Sequence, residues 1–318
     1  MPLTGDTSLQ LTPIVVILGA TAVGKTDLAI ALARALKGEI VGADSRQIYR
    51  YMDIGTAKPT PEQRAAAPHH LIDIADPDED ISLAAYQAAA RSAIANIAAR
   101  GRLPLLVGGT GQYITALLEG WTPPEVPPDP ERRATLEAEA AMHGVPALYD
   151  RLRALDPAAA DLIDPANLRR IIRALEVIDA TGQPFSAQRG KSPPAWRTRV
   201  IGLDADRAAL HQRADARLDA MIAGGFIDEV RALLERGYDR RLPAMSAVGY
   251  REIAAHLLDG LPLAQAVHDA KIATHRFIRR QLSWFRGHDH GILWHNRDTL
   301  DVNALAEATR AWRDAGQD

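Results

Sequence analysis

The chain has no cysteine. Disulfide frameworks, thiolate nucleophiles and Cys-ligated zinc are thereby excluded. It has no apolar run near the ~20 residues that a membrane-spanning helix needs, so no membrane association is expected. It also lacks an excess of one charge: 37 Lys and Arg stand against 40 Asp and Glu, for a formal net charge of -3. The whole chain therefore does not signal a nucleic-acid partner, and any surface for one must be a local patch. The ten histidines show no metal spacing, and His288-Asp289-His290 is too close-set for a zinc site. There is no G-x-S-x-G elbow, no suggestive Ser/His/Asp set and no internal repeat. The first dozen residues are polar and contain Pro and Gly, without a charged n-region and apolar h-region. They read as a loose tail and not a signal peptide, which makes a soluble cytoplasmic protein the expectation.

What is present is more specific. Gly19-Ala20-Thr21-Ala22-Val23-Gly24-Lys25-Thr26 is a full G-x-x-x-x-G-K-[ST] phosphate-binding loop. Pro13 to Leu18 before it reads as a buried strand, and Thr26 to Leu36 after it as a helix with apolar residues at helical spacing. Backbone N–H groups of such a loop cradle phosphate oxygens. The helix N-terminus adds its positive end, Lys25 a point charge, and the Thr26 hydroxyl a ligand for Mg2+. The loop alone does not say which phosphate compound is held.

Further short apolar runs alternate with helical ones. Glu39 to Ala43 reads as a strand ending in Asp44-Ser45. Leu83 to Ala99 reads as a helix, and Leu103 to Val107 as a strand ending in Gly108-Gly109-Thr110. Arg199 to Leu203 and Ile292-Leu293-Trp294 are further strand candidates. This alternation predicts an α/β fold with a parallel sheet covered on both faces. Ligands bind at the C-terminal ends of such strands, so the phosphate loop, Asp44-Ser45 and Gly108-Gly109-Thr110 should meet on one rim. Two Pro-rich stretches, Thr122 to Pro130 and Gln183 to Pro194, bracket a helical region. They predict a helical insertion over 121–195 within a larger domain formed by 1–120 and 196–318.

Several residues could carry chemistry. Asp44 could touch Mg2+, act as a general base beside the phosphate site, or cap a helix. Thr110, after two glycines, either exposes its hydroxyl to a ligand or belongs to an ordinary turn. Lys271 to Arg286 is a basic segment with Lys271, Arg276, Arg279, Arg280 and Arg286, no acidic residue, and Phe277, Trp284 and Phe285 interleaved. It suits a phosphate backbone with stacked bases, or else a core helix with a solvated basic face. Arg169, Arg170 and Arg173 cluster at helical spacing in the insertion. Arg213 and Arg217, four residues apart, fit a clamp on a diphosphate.

Read together, these blocks resemble a family. The phosphate loop, Asp44-Ser45-Arg46-Gln47-Ile48-Tyr49 and Met52-Asp53-Ile54-Gly55-Thr56-Ala57-Lys58-Pro59 look like the start of a bacterial tRNA dimethylallyltransferase. The resemblance continues through Ala67 to Asp73, Leu106 to Tyr113, Arg173 to Val177, Val248-Gly249-Tyr250-Arg251-Glu252 and Arg280-Gln281-Leu282-Ser283-Trp284-Phe285-Arg286. It spans about residues 13 to 294, and the last ~25 residues carry no such block. Ala20 departs from the family's usual Pro, at a variable loop position.

The resemblance implies a P-loop NTPase-like fold, similar to nucleoside kinases, with a helical insertion that grips the anticodon stem. It implies transfer of a dimethylallyl group from dimethylallyl diphosphate to the exocyclic amino group of the adenosine 3′ of the anticodon, with no nucleoside triphosphate hydrolysed. Asp44, Thr110 and Arg217 become the expected catalytic residues. Gly19 to Thr26 and Arg170 would hold the diphosphate, and Thr26 would ligate Mg2+. Contact with the tRNA anticodon stem-loop would fall to Asp44, Ser45, Arg46, Gln47, Arg133, Arg169, Arg170, Arg173, Gly249, Tyr250, Arg251, Arg279, Arg280, Gln281, Trp284 and Arg286. A monomer is the default. Two rival readings are a small-molecule P-loop kinase, which has no use for two basic patches, and a non-catalytic RNA-binding module, which leaves the phosphate loop idle.

Overall fold

Ile14, Val15, Val16, Ile17 and Leu18 have no solvent exposure at all. A continuous apolar run reaches that state as an interior strand of a sheet covered on both faces. A computed structural model describes residues 11–316, and it places the run in β1 (Thr12–Gly19). The tail expected at the start of the chain therefore lies, up to residue 10, outside the described residues. After β1 come α1 (Lys25–Leu36), β2 (Gly38–Ala43), α2 (Pro61–Ala66), β3 (His69–His70) and α3 (Leu83–Ala99). β4 (Leu103–Gly108) and α4 (Gly111–Glu119) complete the first half of the core. A second stretch holds β5 (Trp121–Thr122), α5 (Pro130–His143), α6 (Val145–Leu155), α7 (Pro157–Ala160), α8 (Leu168–Thr181) and β6 (Gly190–Lys191). The core resumes with β7 (Trp196–Asp204), α9 (Arg207–Ala223), α10 (Phe226–Glu235), α11 (Tyr250–Asp259), α12 (Leu263–Gly287), β8 (Leu293–Asn296) and α13 (Val302–Asp314).

Six strands form one parallel sheet in the order β3-β2-β4-β1-β7-β8. Its register is what builds the site. Leu18 pairs with both Gly108 and Gly202, and Ala43 pairs with Gly108, so β1, β2, β4 and β7 end at one level. Side chains above and below the sheet form two cores. Leu28, Leu32 and Leu36 of α1 fill one, and Tyr86, Ile94 and Ile97 of α3 fill the other. Each such fully buried side chain contributes about 1.5–3 kcal/mol. A further core lies among α9, α10, α11 and α12, around Phe226, Met245 and Tyr250.

α13, for which the sequence offered no motif, has a structural role. Leu305 and Ala306 join the α1 core. Arg310 Nη2 donates to Ala35 O at 3.0 Å and Arg313 Nη1 to Leu36 O at 3.2 Å, satisfying carbonyls that the end of α1 leaves open.

The chain divides into two compact units: one up to Leu118 and again from Pro194, the other Glu119–Pro193. The second is closed by the short antiparallel pair β5–β6, with Trp121 opposite Lys191. Its own core contains Leu136, Leu148, Leu152, Ile171 and Leu175, none of them exposed. Within it, the buried carboxylate of Glu176 accepts Asp129 N–H at 2.7 Å and pairs with Arg133 at 3.0 Å and Arg173 at 2.6 Å. Burial alone would push Glu176 upward, but that N–H and the two guanidinium groups hold it below the usual carboxylate range. Arg133 and Arg173, expected on tRNA, thus serve as counter-ions to a buried acid. Arg169 and Arg170, one turn earlier, stay exposed.

Candidate active site

Three strand ends build the site. β1 runs into the phosphate loop, where Gly24 takes φ 89° and caps α1 without a side chain. Gly19 cannot carry one either, because a Cβ there would meet Leu203 O at 2.5 Å. Ala22 also adopts a positive φ, 63°, a conformation costing an L-residue about 1–2 kcal/mol. At the ends of β2 and β4, a Cβ on Gly108 would stand 2.0 Å from Ala43 O. That close approach lets Thr110 N–H donate to Ala43 O at 3.1 Å. It also lets the Thr110 hydroxyl accept Ser45 N–H at 2.9 Å. Thr110 therefore fixes the backbone immediately after Asp44.

Asp44 itself does not cap a helix. Its Oδ1 accepts Arg46 N–H at 2.9 Å in a tight turn, with no helix following before α2. Oδ2 has no hydrogen-bond partner among the described residues and is free to take one. Lys25 Nζ donates to Ala20 O at 2.8 Å, which leaves two of its three protons without a protein acceptor. Desolvation pushes Lys25 down to about 8, against the attraction of Asp44 and with some repulsion from Arg217. Arg217 keeps solvent exposure, yet its surroundings still lower it by desolvation, with Asp27 opposing, and among the described residues its guanidinium has no ion-pair partner. Two cations without an ion pair among the described residues, near a loop of backbone donors, suit a multiply charged anion.

A cavity of about 370 Å³ opens here, with Thr21, Ala22, Asp44, Ser45, Thr110 and Arg217 in its wall. That is a size suited to a small-molecule group. Phe277, Arg280 and Trp284 from α12 and Gly55, Thr56 and Ala57 from a loop after β2 also line it.

Several expected tRNA contacts have partners within the protein. Tyr250 is fully buried and its hydroxyl donates to Glu229 Oε1 at 2.6 Å, so its ring is a core element. Gln281 is also buried; its Oε1 accepts Thr21 N–H at 2.9 Å and its Nε2 donates to Gly109 O at 2.8 Å. It ties the phosphate loop to the end of β4. Trp284 packs over Gly111 and donates to Thr115 Oγ1 at 3.0 Å. Arg46 donates to Pro243 O at 2.6 Å and Ser246 Oγ at 3.2 Å. Gln47 Nε2 donates to Thr56 O and Ala57 O, both at 3.1 Å. Arg251 pairs with Glu252, which also accepts the Gly249 N–H, and Arg286 with Asp204. Arg213, proposed as half of a clamp with Arg217, binds Asp298 through both Nη atoms, at 2.8 and 3.2 Å. Arg276 and Arg279 are exposed without an ion pair among the described residues, and Arg280 lies over the Phe277 ring at 5.8 Å.

One positioning residue had no local signal in the sequence. Glu229, in the first turn of α10, accepts the N–H groups of Asp53 at 2.8 Å, Ile54 at 2.7 Å and Gly55 at 3.1 Å, besides Tyr250 OH. It holds the loop that presents Gly55, Thr56 and Ala57 to the cavity. Glu229→Ala would leave three amides and a buried hydroxyl without their acceptor, so we expect a loss of about 2–4 kcal/mol in urea unfolding. Glu229→Gln, which keeps one acceptor oxygen, will lose less.

Comparison with known proteins agrees with this architecture. A family profile described as IPP transferase matches residues 47–288, and one described as Isopentenyl transferase matches residues 12–73. A tRNA dimethylallyltransferase of Roseiflexus sp. (strain RS-1) is 55% identical over 304 residues, covering 95% of this chain and 99% of that protein. The crystal structure of a full-length tRNA isopentenylpyrophosphate transferase from Bacillus halodurans superposes with a TM-score of 0.70 at 40% identity, covering 96% of each chain. A eukaryotic dimethylallyltransferase captured acting on tRNA superposes with a TM-score of 0.77 at 26% identity, covering 93% of this chain and 77% of that one.

Proposed function

The chain belongs to the IPP transferase family, and from that premise we infer how its site carries out transfer. It is a tRNA dimethylallyltransferase, a prenyltransferase on a P-loop-like α/β fold. The donor we assign is dimethylallyl diphosphate, and the acceptor is the exocyclic amino group of the adenosine immediately 3′ of the anticodon. One observation carries this assignment: Asp44, with one carboxylate oxygen unpartnered among the described residues, and Arg217 line one cavity together with Thr21 and Ala22 of the phosphate loop, the loop that leads into Lys25.

In this reading the diphosphate lies on the N–H groups of the phosphate loop, against Lys25 and Arg217. As the allylic C–O bond breaks, the departing oxygen takes the electron pair, and those donors stabilise the charge that develops on it. The adenine amino nitrogen, a weak nucleophile because its lone pair is delocalised into the ring, forms the new C–N bond. Its proton goes to Asp44 Oδ2. Ser45 and Thr110 keep that carboxylate in place through the bond of 2.9 Å between them. The target base must leave its stack to enter the cavity, and a single-stranded anticodon loop lowers that cost. Arg279 and Arg280, with Arg169 and Arg170 of the second unit, are our candidates for backbone phosphates. Arg46 and Gln47 shape the rim from behind.

The residues at the loop fit Mg2+. Among the described residues the Thr26 hydroxyl has no hydrogen bond, and no group of three or more acidic or histidine side chains could cage a metal. A magnesium ion would therefore be held by Thr26 together with diphosphate oxygens and water. When bound it would add positive charge to the leaving group. We take the monomer as the acting form. No helix among the described residues is long and apolar enough to cross a membrane, and we place the protein in the cytoplasm with its tRNA substrate.

An intact-mass assay tests the assignment. Protein, Mg2+, dimethylallyl diphosphate and an unmodified anticodon stem-loop should give RNA heavier by one prenyl group, only when the donor is present. ATP consumption without that gain would overturn the reading in favour of a kinase. A chelator will abolish the gain yet leave the melting temperature within about 1 °C, because an ion that needs substrate oxygens contributes nothing to folding without them.

A further inference from the structure

Arg297 lies beyond the matched family profile and outside every motif of the sequence, yet it stands against the phosphate loop. A Cβ on Gly24 would come within 2.6 Å of Arg297 Nε and 3.6 Å of its Cζ. Gly24 is thus glycine for two reasons, its positive φ and the guanidinium lying over it. We propose that Arg297 is a third cation of the diphosphate site, gripping the leaving group from the Gly24 side of the loop. The inference rests on the diphosphate reading above.

Three observations carry it. First, the backbone of Arg297 is anchored at the rim: its N–H donates to Asp204 O at 2.8 Å, where β7 ends beside β1. Second, the turn is locked from both sides. Asp298 N–H donates to Asn296 Oδ1 at 2.8 Å, and the Asp298 carboxylate binds both Nη atoms of Arg213. The two-pronged geometry fixes orientation, which a single contact would not. Third, that pairing leaves Arg297 without a counter-ion. Its sequence neighbour Asp298 is turned to Arg213, and among the described residues no carboxylate reaches Arg297. A surface arginine with no partner normally extends into water; this one is partly buried against the phosphate-binding loop. Arg213 thus acts on the site indirectly, by holding the turn that carries Arg297.

Inorganic pyrophosphate with Mg2+, titrated calorimetrically into the full-length protein, provides the test. Arg297→Gln keeps most of the side-chain packing on Gly24 and removes the charge. It should weaken pyrophosphate binding about tenfold and raise the KM for the prenyl diphosphate by a similar factor. Affinity for the anticodon stem-loop and the melting temperature should stay unchanged. Arg297→Lys, which keeps the charge and loses the planar fork, should fall between. Pyrophosphate affinity within twofold of wild type in R297Q would overturn the proposal and leave the diphosphate reading standing. A loss of RNA affinity or melting temperature of comparable size would also overturn it, by making Arg297 an RNA contact or a packing residue. Wild-type protein that binds no pyrophosphate would overturn the diphosphate reading itself.

Discussion

Asp44→Ala will lower prenyl transfer about 10³-fold, the range expected when a positioned general base is removed, while the anticodon stem-loop binds as before. Asp44→Asn separates the base from the turn it stabilises. An asparagine oxygen can still accept the Arg46 N–H that Asp44 Oδ1 accepts at 2.9 Å, so the strand end keeps its shape. It cannot take a proton from the amino group. Both variants should therefore fail alike in single-turnover assays, with KM for the prenyl donor little changed. Near-normal turnover in Asp44→Asn would remove Asp44 from the chemistry and reduce it to a turn former. Thr110 acts behind it. Thr110→Val, which loses the bond to Ser45 N–H, should cost less than either Asp44 variant because the carboxylate itself remains.

Lys25→Met will lower kcat/KM about 10²–10³-fold, the effect of deleting one preorganised donor to a developing oxyanion. The pH dependence makes the assignment sharper. Free Lys25 is held down to about 8 by desolvation. A bound diphosphate supplies the missing counter-charge and raises it again. Below pH 8 the free and bound proteins both carry the proton, and Lys25 adds no pH dependence. Above pH 8 the free protein has lost it, and binding must take a proton up. Affinity should then fall with rising pH, by at most about tenfold per unit. Lys25→Met will bind more weakly at pH 7 and lack that falling limb. A limb that survives the substitution would assign the titration to another group. Replacing Arg217, which lines the cavity without an ion pair among the described residues, should give a loss of similar size at every pH in this range, since a guanidinium keeps its proton.

The readable parts of this protein were those governed by neighbours in sequence. Ile14 to Leu18 form a buried strand because five consecutive apolar residues can be buried together in that way. Gly19 and Gly24 are fixed by backbone angles that a side chain would oppose. The alternation of strands and helices implied a parallel sheet, and a parallel sheet brings its strand ends to one rim. Asp44, Thr110 and the phosphate loop therefore fall together on sequence grounds alone. Motif blocks then identified the family, because so many short strings in one order leave little room for coincidence.

Arginines were the least readable. Arg213 and Arg217 are one helical turn apart and indistinguishable in sequence, yet Arg213 is bound by Asp298, 85 residues away, while Arg217 faces the cavity. Arg133 and Arg173 read in sequence only as possible RNA contacts, and the fold gives both a buried partner, Glu176. Gln281 and Tyr250 lay in motif blocks that suggested RNA, but one bridges to Thr21 across 260 residues and the other supports Glu229. Backbone conformation and burial periodicity are local properties, and the sequence determined them by itself. Whether a charged group has a counter-charge depends on which distant residue the fold delivers within about 4 Å, since electrostatic and hydrogen-bonding partners are chosen by distance and not by order along the chain. The tertiary structure alone decided which cations are neutralised, and the proposed anion site is drawn from cations near the phosphate loop that it leaves without an ion pair among the described residues: Lys25, Arg217 and Arg297.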